Sequence, residues 1–229
     1  KKRISIIVPF YYSSKKKTKK DYNLSLLAFE KCLSAISKSN YKNYELITVS
    51  DGSCNQSIKI AENYADNVVK IKKNSGPGNS RNIGAKLAKG KILLFIDSDI
   101  EIKPNALEIV NRRYKIQNSL VGLQGIFSHK PDYKKSSTQY MQSYLCYYLF
   151  SEVMKKKYTG TICTSFFSIK KNLFFKLNGF DTKFKSASAE DSDFGMRLNK
   201  EGYKVQIERK IRVNHHTNFD LWGFVLRIL

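Results

Sequence analysis

The sequence predicts an α/β fold in which a mixed, mostly parallel central sheet is flanked by helices. Three observations carry this reading. Apolar, β-branched runs of strand length recur at 4–10, 44–50 and 91–97 without polar alternation, as strands covered on both faces require. Segments with apolar residues at helical spacing separate them. Polar turn signals, "DGS" at 51–53 and "DSD" at 97–99, close the strands on the side where ligands bind in doubly wound sheets.

The first strand is "ISIIVPF" (4–10). From Asp21, read as an N-cap, Leu24, Leu27, Ala28, Cys32, Ala35 and Ile36 recur at helical spacing. "YELITVS" (44–50) is the second strand, followed by a short helix near 56–65 and the strand "NVVKI" (67–71). A glycine-rich loop, "NSGPGNSRNIG" (74–84), leads into a helix bearing Ile83, Ala85, Leu87 and Ala88, then the strand "KILLFID" (91–97). Pro104 suits the first turn of the next helix.

In the second half, "SLVGLQGIF" (119–127) reads as a strand and 137–154 as an aromatic-rich helix. Residues 164–180 read as a strand and a short helix closed by Gly179. A helix over 189–203 starts with acidic residues and ends at Gly202, and "KVQIE" and "IRVNHH" follow as two short strands. No internal repeat or linker divides the chain. It reads as one domain over 1–229, with a ligand-binding half (1–100), a second half (101–216) and an apolar tail (217–229).

A hydrophobic fraction of 41% over 229 residues belongs to a folded protein with a sizeable core. Cys32, Cys54, Cys146 and Cys163 form no CxxC pair, which points to a reducing compartment and away from a zinc knuckle or disulfide framework. No apolar run is long enough to span a bilayer, and "ISIIVPF" is too short for a secretory signal. The chain begins at Lys1 and stops inside "LWGFVLRIL", as a piece of a longer protein would. Net charge is +22, from 41 Lys+Arg against 19 Asp+Glu. Such a balance favours anionic partners, although solvated lysine-rich loops such as "KKKTKK" (15–20) account for it equally well.

Four features carry candidate chemistry. Asp97 and Asp99 flank Ser98 at the mouth of a buried strand, where two carboxylates are costly unless a cation meets them. Oxygen donors of this kind suit Mg2+ or Mn2+, and helix capping is the competing explanation. Glu190, Asp191 and Asp193 crowd three carboxylates into four residues, which fits either a capped helix start or a general base. Arg81 follows Gly76-Pro77-Gly78 at the start of a helix, a combination that favours phosphate, without the order of a P-loop. His215 and His216 end a strand, and alternation after Ile211 and Val213 puts His215 on the side of the apolar residues.

Together these segments resemble family 2 glycosyltransferases of the GT-A fold, over nearly everything from Ile4 to His216. "IIVPFYY" is similar to the family's opening IIVPxYN, with Tyr12 in the place of Asn. "VSDGS" matches its strand-two nucleotide motif. "GPGNSRNIGAKLAKGKILLFIDSD" matches GxxxARNxGxxxAxGxxxxFxDxD, with Ser80 for Ala. "LNGFD" and "EDSDFGMRL" match GGFDxxF and EDxDLxxRL, with Asn178 for Gly and Phe194 for Leu.

The resemblance implies a GT-A sheet and inverting, metal-dependent transfer of a sugar from a nucleotide diphosphate to an acceptor hydroxyl. It implies that Asp51 hydrogen-bonds the base, that Pro9, Tyr11 and Ser98 line the nucleotide site, and that Arg81 holds the donor. Asp97 then lies near ribose and metal, Asp99 ligates Mn2+ or Mg2+, and His215, or His216, completes the coordination. Asp191 is the expected general base, with Glu190 the alternative.

The expected partners are a nucleotide-diphosphate sugar, with UDP favoured, and a glycan or lipid-linked acceptor in cell-surface polymer synthesis. The apolar tail and the charge suggest cytoplasmic association with an anionic membrane surface. A nucleic-acid-binding role would explain the charge, but it leaves the DSD and EDSD carboxylates facing a polyanion. A sugar nucleotidyltransferase would carry a glycine-rich loop directly after strand one, where "VPFYYSSKKK" stands.

Overall fold

The computed structural model describes residues 3–13, 18–128, 156–184 and 189–216. Its strands form one sheet in the order β3-β2-β1-β4-β8-β6-β9-β5, with β7 also paired to β9. β1 (Ile4–Phe10), β2 (Tyr44–Asp51), β3 (Asn67–Ile71) and β4 (Ile92–Ile96) run parallel to one another. β8 (Phe166–Lys170) enters antiparallel between β4 and β6 (Gly122–Phe127). β9 (Val205–His215) is parallel to β6 and antiparallel to β5 (Ile100–Glu101) and β7 (Tyr158–Thr159). The expected mixed, mostly parallel sheet is therefore present.

The continuous apolar runs are explained by burial on both faces. On one side Ile4, Ile6 and Val8 of β1 pack with Phe29, Leu33 and Ile36 of α1 (Lys19–Ser37), together with Leu107 and Val110 of α4 (Ala106–Ile116). On the other side Ile7, Val49, Leu93 and Phe95 meet Ala85 of α3 (Pro77–Leu87). Here Phe167 of β8, Phe174 of α5 (Lys171–Lys176), Phe180 and Phe194 of α6 (Glu190–Lys200) complete an aromatic cluster, with Phe174, Phe180 and Phe194 ring centroids 5.2–5.3 Å apart. Offset and edge-on ring pairs of this kind add about 0.5–1.5 kcal/mol each beyond their area burial. α3 can lie this close because Gly84 has no side chain: a Cβ there would sit 2.6 Å from Cγ2 of Ile7.

Several element boundaries depart from the sequence reading. α1 is capped by Thr18, whose Oγ1 accepts the Asp21 N–H, so Asp21 lies in the first turn instead of at the cap. α2 (Asn55–Glu62) is shorter than expected. The acidic residues of α6 fill its first turn behind Ala189, which makes no side-chain capping bond. "KVQIE" and "IRVNHH" are not two strands: β9 is continuous through the polar stretch 208–210. Its register against β6 shifts between Gln124 and Ile126, and that irregularity absorbs the break in apolar alternation. β5 and β7, two residues each, are too short to leave a periodic signal. The expected helix at 137–154 and the tail at 217–229 lie outside the described residues, as do 14–17 within the lysine-rich insertion.

Candidate active site

A cavity of about 550 Å³ opens beyond the carboxyl ends of β1, β2 and β4. Pro9 and Tyr11 border it from the end of β1, and Asp51 from the end of β2. Arg81 reaches it from α3, and Asp97, Ser98 and Asp99 from the turn after β4. Ser165, just before β8, and His215, at the end of β9, close it from the second half of the chain. Every expected nucleotide or metal residue thus borders one cavity. Glu190 and Asp191 sit behind it at the start of α6.

Asp51 is 3% exposed and organises the loop above it. Its Oδ1 accepts the Ser75 N–H at 2.8 Å and the Ser75 hydroxyl at 2.9 Å, and its Oδ2 accepts the Gly76 N–H at 2.9 Å. Gly76, at φ 95°, occupies backbone space that favours glycine, which lets the loop turn directly into α3. Ser53 stitches the two strand ends together, donating to the Phe10 carbonyl and accepting the Tyr12 N–H. Tyr12 is buried, and its hydroxyl lies 2.9 Å from the Ser98 hydroxyl. Burial, reinforced by the Asp99 charge, pushes its phenol well above the ordinary range.

Arg81 is the electrostatic hub. Its guanidinium is buried and donates from Nη2 to Asp97 Oδ1 at 2.6 Å and from Nη1 to Glu190 Oε1 at 2.8 Å. Burial disfavours its charge, but Asp97 and Glu190 outweigh that and hold its pKa above the ordinary value. Its Nε is a buried donor with no partner among the described residues. The other Asp97 oxygen accepts the Ser165 hydroxyl at 2.9 Å. Asp97 therefore links α3 to the entry of β8.

The β5–β9 ladder brings His215 opposite Ile100, and the His216 N–H donates to the Asp99 carbonyl at 2.8 Å. His215 Nε2 lies 3.2 Å from Asp99 Oδ2, and its ring stacks on Phe127 at 5.5 Å between centroids. His216 turns instead to Glu101, 2.7 Å away. Burial would raise the Asp99 pKa, but His215, its hydrogen bond and His216 lower it below the usual carboxylate value.

Among the described residues no group of three His, Cys, Asp or Glu side chains is arranged to hold a metal by itself. Asp99 and His215 do fit a divalent ion of the kind that takes one or two protein donors and completes its shell with substrate phosphates and water. Their donor atoms face each other across the cavity rim, and both side chains are partly exposed.

Asp191 is half-buried. Burial and the neighbouring Glu190 raise its carboxyl pKa, against hydrogen bonds from the Ser192 and Thr164 backbone and the charge of Arg81. Glu190, at 3% exposure, is turned inward to Arg81. Sequence reasoning missed Ser165 and the Tyr12–Ser98 contact. Only the antiparallel register of β8 on β4, Phe166 opposite Ile96, brings Ser165 beside Asp97.

This sheet, with its acidic cavity at the strand ends, has the architecture of the GT-A fold. The model of glycosyl transferase family 2 matches residues 5–177, and the chain belongs to that family. A second model, described as the N-terminal domain of galactosyltransferase, matches 147–219. The chain is 35% identical over 130 residues to an uncharacterized glycosyltransferase of Haemophilus influenzae, covering 55% of this chain and 47% of that protein. It is 33% identical over 111 residues to the poly(ribitol-phosphate) beta-N-acetylglucosaminyltransferase TarS of Staphylococcus aureus, covering 46% and 18%. The chain thus spans half or less of these curated relatives. In fold it resembles the Pyrobaculum calidifontis mannosyltransferase PcManGT in complex with GDP-Man and Mn2+ (TM-score 0.73, 16% identity, 99% and 60% of the chains). It also resembles S. aureus TarS 1-349 in complex with UDP-GlcNAc (TM-score 0.69, 18% identity, 95% and 60%).

Proposed function

We propose that this glycosyltransferase inverts the anomeric centre, taking its sugar from a nucleotide diphosphate, preferably a UDP-sugar, and passing it to a hydroxyl of a glycan or lipid-linked acceptor. The observation that carries the reading is the convergence of Asp51, Arg81, Asp97, Asp99 and His215 on one cavity. Asp51 spends three acceptor sites on the Ser75–Gly76 loop, and a carboxylate offers about four, which leaves one for a base N–H. Tyr11, 45% exposed, offers a ring face to the base, while Pro9 and Ser98 line the nucleotide site.

Asp99 and His215 would hold Mn2+ or Mg2+, which supplies Lewis-acid stabilisation to a departing diphosphate. Arg81 borders the donor site with its charge shared between Asp97 and Glu190, and its buried Nε remains as a donor with no partner among the described residues. Asp191 is the general base: its pKa is raised and its carboxylate is partly open, whereas Glu190 is committed to Arg81. Asp191 accepts the acceptor hydroxyl proton as the oxygen forms its bond to the anomeric carbon and the bond to the diphosphate breaks.

Residues 1–100 form the donor half in this reading, and 101–216 the acceptor and catalytic half. The S. aureus relative named as a poly(ribitol-phosphate) beta-N-acetylglucosaminyltransferase supports a cell-surface polymer as acceptor. Assembly at the cytoplasmic face of the membrane fits that acceptor and the +22 charge. A panel of UDP-, GDP- and dTDP-sugars with Mn2+, scored by thermal stabilisation and sugar release, tests the reading. Stabilisation and turnover with a UDP-sugar are expected, and no response to any nucleotide-sugar overturns it.

A further inference from the structure

A second cavity, of about 590 Å³, lies at the opposite end of the sheet, where β1 and β4 begin. Seven residues of strand separate the two ends of β1, so the cavities are about 20 Å apart. Arg3, Lys89, Lys91, Lys170 and Lys171 line it, with no carboxylate among its lining residues. Ile92, Tyr114 and Phe175 form an apolar wall.

The cations are held on a fixed frame. Gly90 is pressed against the start of β1, where a Cβ would lie 2.7 Å from the Ser5 hydroxyl and 2.9 Å from the Arg3 carbonyl. Its N–H donates to Ser5 Oγ at 2.8 Å, and the buried Glu45 carboxylate accepts the Lys89 N–H from below. The Ile92 N–H donates to the Arg3 carbonyl, and the Lys171 N–H to the Lys91 carbonyl. Lys170 and Lys171 are anchored at their ammonium groups by the Asn118 and Ala88 carbonyls. Lys89 and Lys91 are exposed, and Arg3 keeps its Nε as a buried donor with no partner among the described residues. A buried N–H without an acceptor is costly unless a ligand or water meets it.

The buried Glu45 carboxylate offsets one of the five cations, and the remaining excess of positive charge around an apolar wall favours an anion among them. We propose that this cavity is a second ligand site that takes a phosphoryl group attached to an apolar or ring-bearing moiety. The cations meet the phosphate oxygens, and Phe175 and Tyr114 meet the remainder. A volume of this size holds a phosphorylated sugar or a lipid headgroup. The site is separate from the sugar-transfer cavity and does not depend on the reaction proposed there.

The test uses the whole chain, with EDTA present and at low salt. Binding of inorganic pyrophosphate is measured by calorimetry for the wild type, for Lys89→Glu with Lys91→Glu, and for Lys59→Glu with Lys86→Glu. The last pair removes the same charge from exposed positions on α2 and α3. The first pair is expected to weaken binding about tenfold or more and the second about twofold or less. Equal losses in the two, or no loss in the first, overturn the proposal. If the first pair lowers the melting temperature, Lys89→Gln with Lys91→Gln takes its place under the same criteria. Flotation with phosphatidylglycerol–phosphatidylcholine vesicles then separates the sources: retention lost selectively in the first pair identifies a lipid headgroup, and pyrophosphate binding without such retention identifies a soluble phosphate ester. Neither readout involves sugar transfer, so failure here leaves the reading of the main cavity intact, and the converse holds as well.

Discussion

Arg81 and Glu190 are 109 positions apart and form an ion pair of 2.8 Å, with each side chain 4% exposed. The pair ties the helix that follows the glycine-rich loop to the helix that carries Asp191. Glu190→Ala would leave the Arg81 charge buried with half of its compensation, and breaking such a pair costs about 3–5 kcal/mol. A fall in stability of that size in urea denaturation is expected, and a loss below about 1 kcal/mol would mean that water replaces the carboxylate.

Asp191→Asn separates the base from the pair. Transfer is expected to fall by about 10²-fold or more, with nucleotide-sugar affinity unchanged by calorimetry. Parallel loss of both would make Asp191 structural. The folded-state pKa of Asp191 is raised, so the fold favours its protonated form, and the stability tied to it is lost as pH rises from the unfolded to the folded pKa. Above that window Asp191→Asn should be slightly more stable than the wild type. The acid limb of the transfer rate should follow the same raised pKa.

Asp99→Asn and His215→Ala should each weaken Mn2+-dependent nucleotide binding by about tenfold or more, while His216→Ala, whose ring faces Glu101, should not. Titration of Mn2+ against UDP binding distinguishes them. An effect of His216→Ala as large as that of His215→Ala would reverse the assignment.

Gly84→Ala tests the packing of α3 on the sheet. Its added methyl collides with Ile7, and overpacking of this kind costs about 1–3 kcal/mol. Thermal denaturation should report it, and the cost should be less than additive in the double variant with Ile7→Ala, which removes the Cγ2 that the new methyl meets.

Much of this was legible in the residues because buried parallel strands leave continuous apolar runs, and strand ends collect the ligand-facing turns. Asp51, Asp97 and Asp99 follow from that alone, and Arg81 from its place at the start of the helix after the glycine-rich loop. The alternation from Ile211 and Val213 puts His215 on the side of the apolar residues, and the β5–β9 ladder sets it 3.2 Å from Asp99. What stayed hidden depends on pairings distant in the chain. Ser165 is an ordinary serine until β8 docks on β4. Glu190 and Asp191 look interchangeable until Arg81 engages one of them. Asp51 gives no local sign that it braces Ser75 and Gly76, because those donors arrive from the far side of β3.

The position of β8 bears on how the site comes into being during synthesis. Asp97 and Ser165 are 68 positions apart, so the elements that position Asp51, Arg81 and Asp97 leave the ribosome well before the segment that adds Ser165 to their surroundings. Until then β4 is an open edge of fully apolar residues, the kind of surface that attracts other chains. Docking of β8 covers that edge and delivers Ser165 to Asp97 in one event. One pairing thus both covers the open edge and supplies part of the cavity's far wall, which is complete only when β9, later in the chain, has brought His215 to Asp99.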